Sequence, residues 1–360
     1  MSNNAYINHI LDIKSTILDC LAKLENIETK TIFLMSEDKL VGSITDGDIR
    51  RWIVSGGSLD SSVEKICNLN PILVKNNEKS NAFFLMDQHK INAIPVVDDS
   101  LRIMDILFKN VQEIKAKNLS LVNTTVVIQA GGLGSRLKPI TNVIPKALYP
   151  VNGKPITEII INSFKSYGIV NFGIISNYKK NMIKAYFEES DLVNNITYYE
   201  EERPLGTIGG LALLSQNVDS NFILTYCDTI IDLDYSRLMQ FHEENMNDLT
   251  FVAIVREEQM DYGILRVNDK GQFLSIEEKP VDSHMVNSGV FVFSQRVFKF
   301  FSSPIRMDSL ELIQNMQSAS MKIGYFPVSE SSWYDFGNLD AIELNSKRIL
   351  NSSLQHLFKD

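Results

Sequence analysis

The sequence is poor in cysteine, has no excess of positive charge and contains no long apolar run. Its three cysteines, Cys20, Cys67 and Cys227, lie far apart, form no CxxC pair and stand with no histidine cluster at zinc-ligand spacing. Neither a disulfide scaffold nor a structural zinc site is expected, and a reducing compartment, the cytoplasm, is. Lysine and arginine number 35 against 44 aspartates and glutamates, a net charge of −9. That balance lacks the basic face of a general nucleic-acid or membrane-surface binder, so any anionic ligand must be held by a few local cations. No apolar run approaches the roughly 18 residues of a membrane span. The opening stretch MSNNAYINHILDIKSTILD carries aspartate and no long apolar core, which reads as no signal peptide. What is present is 44% apolar content over 360 residues, enough to bury a large core and to divide into two or more domains.

Residues 8 to about 57 read as helix, strand, strand, helix. Ile10, Ile13, Ile17, Leu18, Leu21 and Leu24 fall on one helical face, so a helix is expected from Asn8 to Leu24. TIFLM and KLVGSIT follow as short strands and DGDIRRWIVSG as a helix. The stretch from SVEKICNL to LRIMDILF resembles it in order: a short helix, an extended segment, a helix around Ala82 to His89, then two strands. Two weakly similar units of about fifty residues suggest an internal repeat. In LVGSITDGDIRR a strand ends in Thr-Asp-Gly-Asp at a helix start, which resembles the CBS domain, a module that usually occurs as a tandem pair. The resemblance implies an α+β CBS-domain pair over residues 1–118, with copies at about 8–60 and 61–115, and an adenine nucleotide held by Thr45 and Asp48. Helix capping alone also explains both residue types. The second copy has Arg102-Ile103-Met104-Asp105 at the corresponding place, without the threonine, so at most one site is expected. The polar stretch from Lys109 to Asn123 reads as a linker, with the boundary at 119–124.

From Thr125 strands and helices alternate: TVVIQ, a helix from Pro155 to Tyr167, NFGIIS, a helix from Tyr178 to Glu189, ITYYEE, a helix from Thr207 to Leu214, and NFILTY. This alternation predicts an α/β domain over 125–360, built on a Rossmann-like, mainly parallel sheet with helices on both faces. Beyond Asp228 the pattern turns to α+β, which makes the sheet mixed. Its strands are LTFVAIV, GILRV, QFLSIEE, NSGVFVF and KIGYFP, with helices near 294–301, 309–317 and 339–350.

The strand TVVIQ feeds the loop Gly131-Gly132-Leu133-Gly134-Ser135-Arg136, whose three glycines let backbone approach a ligand closely. Arg136, Lys138 and Lys146 add cations, a combination suited to a nucleoside triphosphate. Neither the GxGxxG fingerprint nor the GxxxxGK[ST] loop is matched. Asp228 follows NFILTY, at the carboxyl end of a parallel strand, where ligands bind in open α/β sheets.

The whole stretch AGGLGSRLKPIT…PKALYPVNGKPI resembles the signature of the sugar-1-phosphate nucleotidylyltransferases. Further pieces follow in that family's order: ERPLGT at 202–207, Cys227-Asp228, Asp261-Tyr262-Gly263, EEKP at 277–280, Asn287-Ser288-Gly289 and WYDFG at 333–337. The resemblance implies Gly131, Gly132, Gly134 and Ser135 on the triphosphate, Arg136 on the β- and γ-phosphates, and Lys146 near the α-phosphate. It also implies Mg²⁺ between Asp228 and Asp335, Glu278 on sugar hydroxyls and Lys279 on the sugar phosphate. Gly263 and Asn287 would line the same pocket, and Glu202, Gly206 and Thr207 would face the base or sugar edge. Two residues depart from the family: Gln129, where an apolar residue is usual and which reads equally as a contact to base or ribose and as packing at the strand end, and Cys227, in place of Gly or Asn. The module-plus-transferase architecture resembles bacterial enzymes of surface-glycan and legionaminic-acid pathways that join GTP to glucosamine 1-phosphate. Guanylyl transfer to mannose 1-phosphate and thymidylyl or uridylyl transfer to glucose 1-phosphate stay open. So do a non-catalytic nucleotide-sugar sensor and an N-terminal part that only dimerises; a homo-oligomer is expected.

Overall fold

The structure, a computed structural model, describes residues 4–25, 27, 29–108, 121–190, 195–215 and 217–358, the side chains of 4, 5, 77, 80, 83, 87 and 259 excepted. Two compact units divide the chain, one drawing on 1–111, 253–287 and 327–331, the other on 112–252, 288–326 and 332–360. Two stretches from the C-terminal part thus cluster with N-terminal residues. Of the expected linker, residues 109–120 lie outside the described residues. Residues 121–124 make a turn in which Thr124 N–H donates to the carbonyl of Leu121 (2.9 Å), with Leu121 buried. Among the described residues no helix is long and apolar enough to cross a membrane, and all three cysteines are free thiols.

In the first unit the helix expected from Asn8 to Leu24 is not formed as one piece. A 3-10 turn over Asn4–His9 leads into strand β1 (Ile10–Asp12), and helix α1 covers only Ile17–Glu25. The reason is local. Thr16 and Asp19 form a reciprocal cap, Asp19 N–H to Thr16 Oγ1 and Thr16 N–H to Asp19 Oδ2, both at 3.1 Å, so the helix begins after Thr16. The segment upstream instead pairs in parallel with β2 (Thr31–Ser36), Ile10 beside Phe33. β3 (Lys39–Thr45) returns antiparallel to β2, and α2 (Asp46–Val54) follows. Then β4 (Val74–Lys75), α3 (Ala82–His89), β5 (Ala93–Val97) and β6 (Ile103–Phe108) use the same pairing scheme, β4 parallel to β5 and β5 antiparallel to β6. Phe33 and Leu40 from the first sheet share a core with Ala93, Val97 and Ile106 from the second.

The rest of the chain contributes, in order, β7 (Thr125–Gln129), β8 (Pro150–Val151), β9 (Lys154–Pro155), α4 (Ile156–Lys165), β10 (Asn171–Ser176), α5 (Lys180–Glu188), β11 (Ile196–Glu200), β12 (Phe222–Tyr226), β13 (Thr229–Ile231), α6 (Tyr235–Glu244) and β14 (Leu249–Gln259). After these come β15 (Ile264–Val267), β16 (Phe273–Glu277), β17 (Val281–Phe293), α7 (Ser309–Ser318), β18 (Ile323–Ser329), β19 (Trp333–Asp335) and α8 (Leu339–Leu350). Seven strands form one sheet in the order β11-β10-β7-β12-β17-β14-β18. β11, β10, β7 and β12 run parallel, and β17 runs antiparallel to β12, so the sheet is mixed as expected. β7 is central: Val126 pairs with Phe172 on one side and Ile223 on the other, and Val126, Val127 and Ile128 are all fully buried. A strand covered on both faces reads as a continuous apolar run, which is why TVVIQ lacks alternation. On one face Val127, Leu224, Phe291 and Phe293 pack with Leu211, Met307 and Leu312, each large side chain contributing about 1.5–3 kcal/mol by leaving water.

The helix expected from Thr207 to Leu214 is a 3-10 turn over Gly209–Leu214. Gly206 takes φ 85°, outside helical space, and a Cβ on Gly209 would meet the Ile305 carbonyl at 2.5 Å. The segment is shaped by close backbone approach instead of helix propensity.

Candidate functional site

The sheet ladder carries one step past β7. Ala130 N–H donates to the Ile175 carbonyl (2.8 Å), and Cys227 N–H donates to the Gln129 carbonyl (3.3 Å). The chain then leaves the carboxyl edge of the parallel strands as Gly131 to Arg136. Gly134 adopts φ 61°, and a Cβ there would lie 2.8 Å from Thr141 Cγ2 and 3.1 Å from Lys146 Cβ, so this position requires glycine. Its carbonyl accepts the Thr141 hydroxyl at 2.9 Å, which pins the loop. Gly132 is different: it is exposed, and nothing lies within 4 Å of its Cβ position. The 3-10 turn Ser135–Leu137 buries Leu137 and leaves Ser135 and Arg136 exposed.

Asp228 and Asp335, far apart in sequence, meet through a short pairing. β13 runs antiparallel to β19 with Thr229 opposite Asp335, and Phe336 N–H donates to the Asp228 carbonyl (2.8 Å). Lys146 Nζ donates to Asp228 Oδ2 in a direct ion pair, the two side chains 13% and 18% exposed. Gly337 N–H donates to Asp335 Oδ1 (2.9 Å), and an Arg136 guanidinium nitrogen lies 3.5 Å from the Cβ position of Gly337. Burial, then the Asp228 charge, push the Asp335 carboxyl above the usual carboxylate range, while the Gly337 N–H, Lys146 and Arg136 pull it down.

Two carboxylates that repel each other in a half-buried corner suit a hard divalent cation, which relieves that repulsion. Among the described residues no group of three or more His, Cys, Asp or Glu forms a metal cage. A cation here would draw its other ligands from water and phosphate oxygens, the usual habit of Mg²⁺. Two further side chains brace this corner, Asn345, which stands in no motif, and Trp333 of WYDFG. Asn345 Nδ2 donates to the Asp335 carbonyl (2.6 Å), and Trp333 Nε1 donates to Thr229 Oγ1 (2.9 Å).

The acid expected near the base, Glu202, is exposed; its neighbour Glu201 is the buried one, at 3% exposure. Strand alternation explains the difference in burial. Tyr199 of β11 points inward, Glu200 is exposed, and Glu201 N–H extends the ladder to the Ser176 carbonyl (2.9 Å), which turns Glu201 inward again. Its carboxylate fills space left by two glycines: Cβ positions on Gly131 and Gly210 lie 3.0 Å from Oε2 and 2.7 Å from Oε1. Gln129 Nε2 reaches the same Oε1 at 3.5 Å. Burial pushes the Glu201 carboxyl upward, opposed by the Gln129 amide and the Leu205 N–H. The period-2 signal for Glu201 was present in ITYYEE.

Gly206 and Thr207 are fastened to the start of α7. Thr207 N–H donates to Asp308 Oδ1 (3.3 Å), Ser309 N–H donates to Thr207 Oγ1 (3.0 Å), and a Cβ on Gly206 would meet the Met307 carbonyl at 2.6 Å.

Gly131, Gly134, Arg136, Lys146, Asp228 and Asp335 come together within one unit. Gly263, Glu278, Lys279 and Asn287 belong to the other. There the Cβ position of Gly263 lies 2.9 Å from Glu278 Oε2, Lys279 takes φ 45°, and Glu278, Lys279 and Asn287 are exposed. Thr45 and Asp48 form the capping box of α2: Thr45 Oγ1 donates to Asp48 Oδ2 (2.6 Å), Thr45 N–H donates to the same oxygen (2.9 Å), and Arg51 holds Asp48 Oδ1 at 2.5 Å.

A family model described as Nucleotidyl transferase matches residues 125–352. The D-glycero-alpha-D-manno-heptose 1-phosphate guanylyltransferase of Campylobacter jejuni is 31% identical over 190 residues, 52% of this chain and 84% of that protein. The mannose-1-phosphate guanyltransferase of Yarrowia lipolytica is 30% identical over 222 residues, 59% of this chain, which spans 60% of that protein's length. Among solved structures, HddC from Yersinia pseudotuberculosis superposes with a TM-score of 0.50 at 24% identity, over 63% of this chain and 99% of that one, a likeness of fold.

Proposed function

We propose a guanylyl transfer for this chain, which belongs to the nucleotidyl transferase family. As a sugar-1-phosphate nucleotidylyltransferase it takes a nucleoside triphosphate and a sugar 1-phosphate to a nucleoside diphosphate sugar and pyrophosphate. The observation that carries the choice of base is Glu201. A buried carboxylate offers two acceptor oxygens, and guanine alone among the common bases presents adjacent N1–H and 2-amino donors to meet them. The two guanylyltransferase relatives support the same choice.

In this reading a sugar phosphate oxygen attacks the α-phosphorus, the bond from that phosphorus to the β-bridging oxygen breaks, and pyrophosphate departs with the electron pair. Loop backbone from Gly131 to Ser135 holds the triphosphate. Arg136 steadies charge on the leaving pyrophosphate and Lys146 on the α-phosphate, as fixed cations in a partly dry corner. Asp228 and Asp335 would hold Mg²⁺, which when bound supplies charge neutralisation at the phosphates. The family resemblance assigns the sugar hydroxyls to Glu278, the sugar phosphate to Lys279 and the lining of the acceptor to Gly263 and Asn287.

The acceptor is glucosamine 1-phosphate and the setting a cytoplasmic step of legionaminic-acid or related surface-glycan synthesis; the resemblance of the module-plus-transferase architecture supports this. Residues 1–118 act as a tandem CBS module, supported by two sheets with one pairing scheme. An adenine nucleotide at Thr45 and Asp48 must share atoms with the α2 cap, and the chain works as a homo-oligomer.

The test is pyrophosphate release from purified protein with Mg²⁺, across GTP, UTP, dTTP, CTP and ATP and a panel of sugar 1-phosphates. GTP with glucosamine 1-phosphate should be fastest. A preference for UTP or dTTP would replace guanine, and silence with every pair would leave a non-catalytic nucleotide-sugar sensor.

A further inference from the structure

We propose that Gln129 reads the base directly, its side-chain oxygen accepting one hydrogen of the guanine 2-amino group while Glu201 takes the other and N1–H. This rests on the guanine reading given above.

Gln129 is the last residue of β7, paired with Ile175 on one side and Tyr226 on the other. Cross-strand neighbours of a parallel pair share a face. Ile175 packs against the Cβ position of Gly210 at 2.6 Å, so this is the face on which Glu201 lies. Here Gln129 does half of what an amide can do. Its Nε2 reaches Glu201 Oε1 at 3.5 Å, but its Oε1 is buried and accepts no hydrogen bond from any described residue. A buried amide oxygen without a donor is costly, and such groups in folded proteins ask for an explanation.

The chemistry of the edge completes the argument. Glu201 already accepts from the Gln129 amide and the Leu205 N–H, and the Cβ position of Gly131, the first glycine of the triphosphate loop, lies 3.0 Å from its Oε2. A carboxylate can pair with N1–H and one amino hydrogen of guanine, which leaves the second amino hydrogen in need of an acceptor. Gln129 Oε1 is an unsatisfied acceptor beside that carboxylate. Adenine and cytosine place an acceptor where guanine has N1–H, and uracil and thymine bring no amino group, so none of them satisfies both residues at once.

Inosine triphosphate isolates the claim, since hypoxanthine keeps N1–H and lacks only the 2-amino group. kcat and KM are measured for GTP and ITP with wild-type enzyme and Gln129→Leu, with circular dichroism and a melting curve confirming that the variant is folded. Wild type should favour GTP over ITP by about 100-fold or more in kcat/KM, as sites built around a hydrogen-bonding group reject analogues lacking it. Gln129→Leu should lower kcat/KM for GTP about 10- to 100-fold, mainly through KM, and leave ITP within about threefold. Equal losses on both nucleotides, or an unchanged GTP-to-ITP ratio, would overturn this inference and leave the guanine reading standing. A wild-type preference for a pyrimidine triphosphate would remove the guanine reading and this inference with it.

Discussion

Two strand-to-helix turns in this chain use similar polar residues to opposite ends. At Thr45–Asp48 the side chains are already paired within the protein: the hydroxyl and amide of Thr45 both reach Asp48 Oδ2, Arg51 takes the remaining Asp48 oxygen, and Arg50 holds Asp46. At Gln129–Arg136 the backbone leaves the sheet through glycines, Arg136 is exposed, and Gln129 Oε1 has no partner among the described residues. A turn that satisfies itself stabilises a helix, whereas one that leaves donors, acceptors and charges unspent has the means to bind something. Residue type does not separate the two cases; the state of the hydrogen bonds does.

The harshest test of that distinction is Asp228→Asn. The change keeps the volume and removes the charge that pairs with Lys146 and that a bound cation would use, so turnover should fall about 10³-fold or more. The melting temperature should move little, because the lost attraction to Lys146 is partly offset by lost repulsion with Asp335. Pyrophosphate release and differential scanning fluorimetry on the same preparation read both. Retained activity would mean that these carboxylates are as self-contained as Asp48.

A pair of glycine substitutions sharpens the comparison within the loop. Gly134→Ala puts a methyl 2.8 Å from Thr141 and 3.1 Å from Lys146 in a left-handed backbone conformation. About 1–2 kcal/mol of stability should be lost, and kcat/KM should drop by roughly 10- to 100-fold as Lys146 shifts. Gly132→Ala meets no atom within 4 Å, so stability should stay within about 0.5 kcal/mol. If triphosphate oxygens approach this backbone, KM for the triphosphate should still rise about tenfold. A silent Gly132→Ala would move the phosphates away from residue 132.

The parts of the fold that could be read in advance are those where one physical cause dominates. The central strand TVVIQ, the alternation through NFILTY and the helix at Leu339–Leu350 follow from burial on both faces or from a clear helical stripe. Where two signals compete, reading fails. Ile10 and Ile13 fit the helical face of α1, yet the Thr16–Asp19 cap cuts the helix off and hands Ile10 to a parallel strand. Gly206 and Gly209 lie in a stretch that reads as helix, but tertiary contacts with residues 305–308 dictate its shape. At the site, the charged residues were legible because each stands in a motif. Glu202 is expected near the base from the motif alone, while strand alternation, a weaker but local signal, points to Glu201 as the inward carboxylate. Asn345 left no trace in the sequence, since its value comes only from the Asp335 carbonyl it meets across ten residues.

The smallest effect is expected at the self-satisfied turn. Thr45→Ala removes the hydroxyl that accepts from Asp48 N–H (3.4 Å) and donates to its carboxylate, while the Thr45 N–H contact to Asp48 survives in the backbone. Half a capping box remains and Arg51 still holds the carboxylate, so the loss should be no more than the usual cost of a cap, about 1 kcal/mol. Thermal unfolding should register it as a fall of a few degrees, and kcat/KM for GTP should not change, since no step of the transfer uses this turn. A tenfold loss of activity with no loss of stability would reverse the assignment, making the saturated turn the functional one and its hydrogen bonds a resting arrangement that ligand replaces.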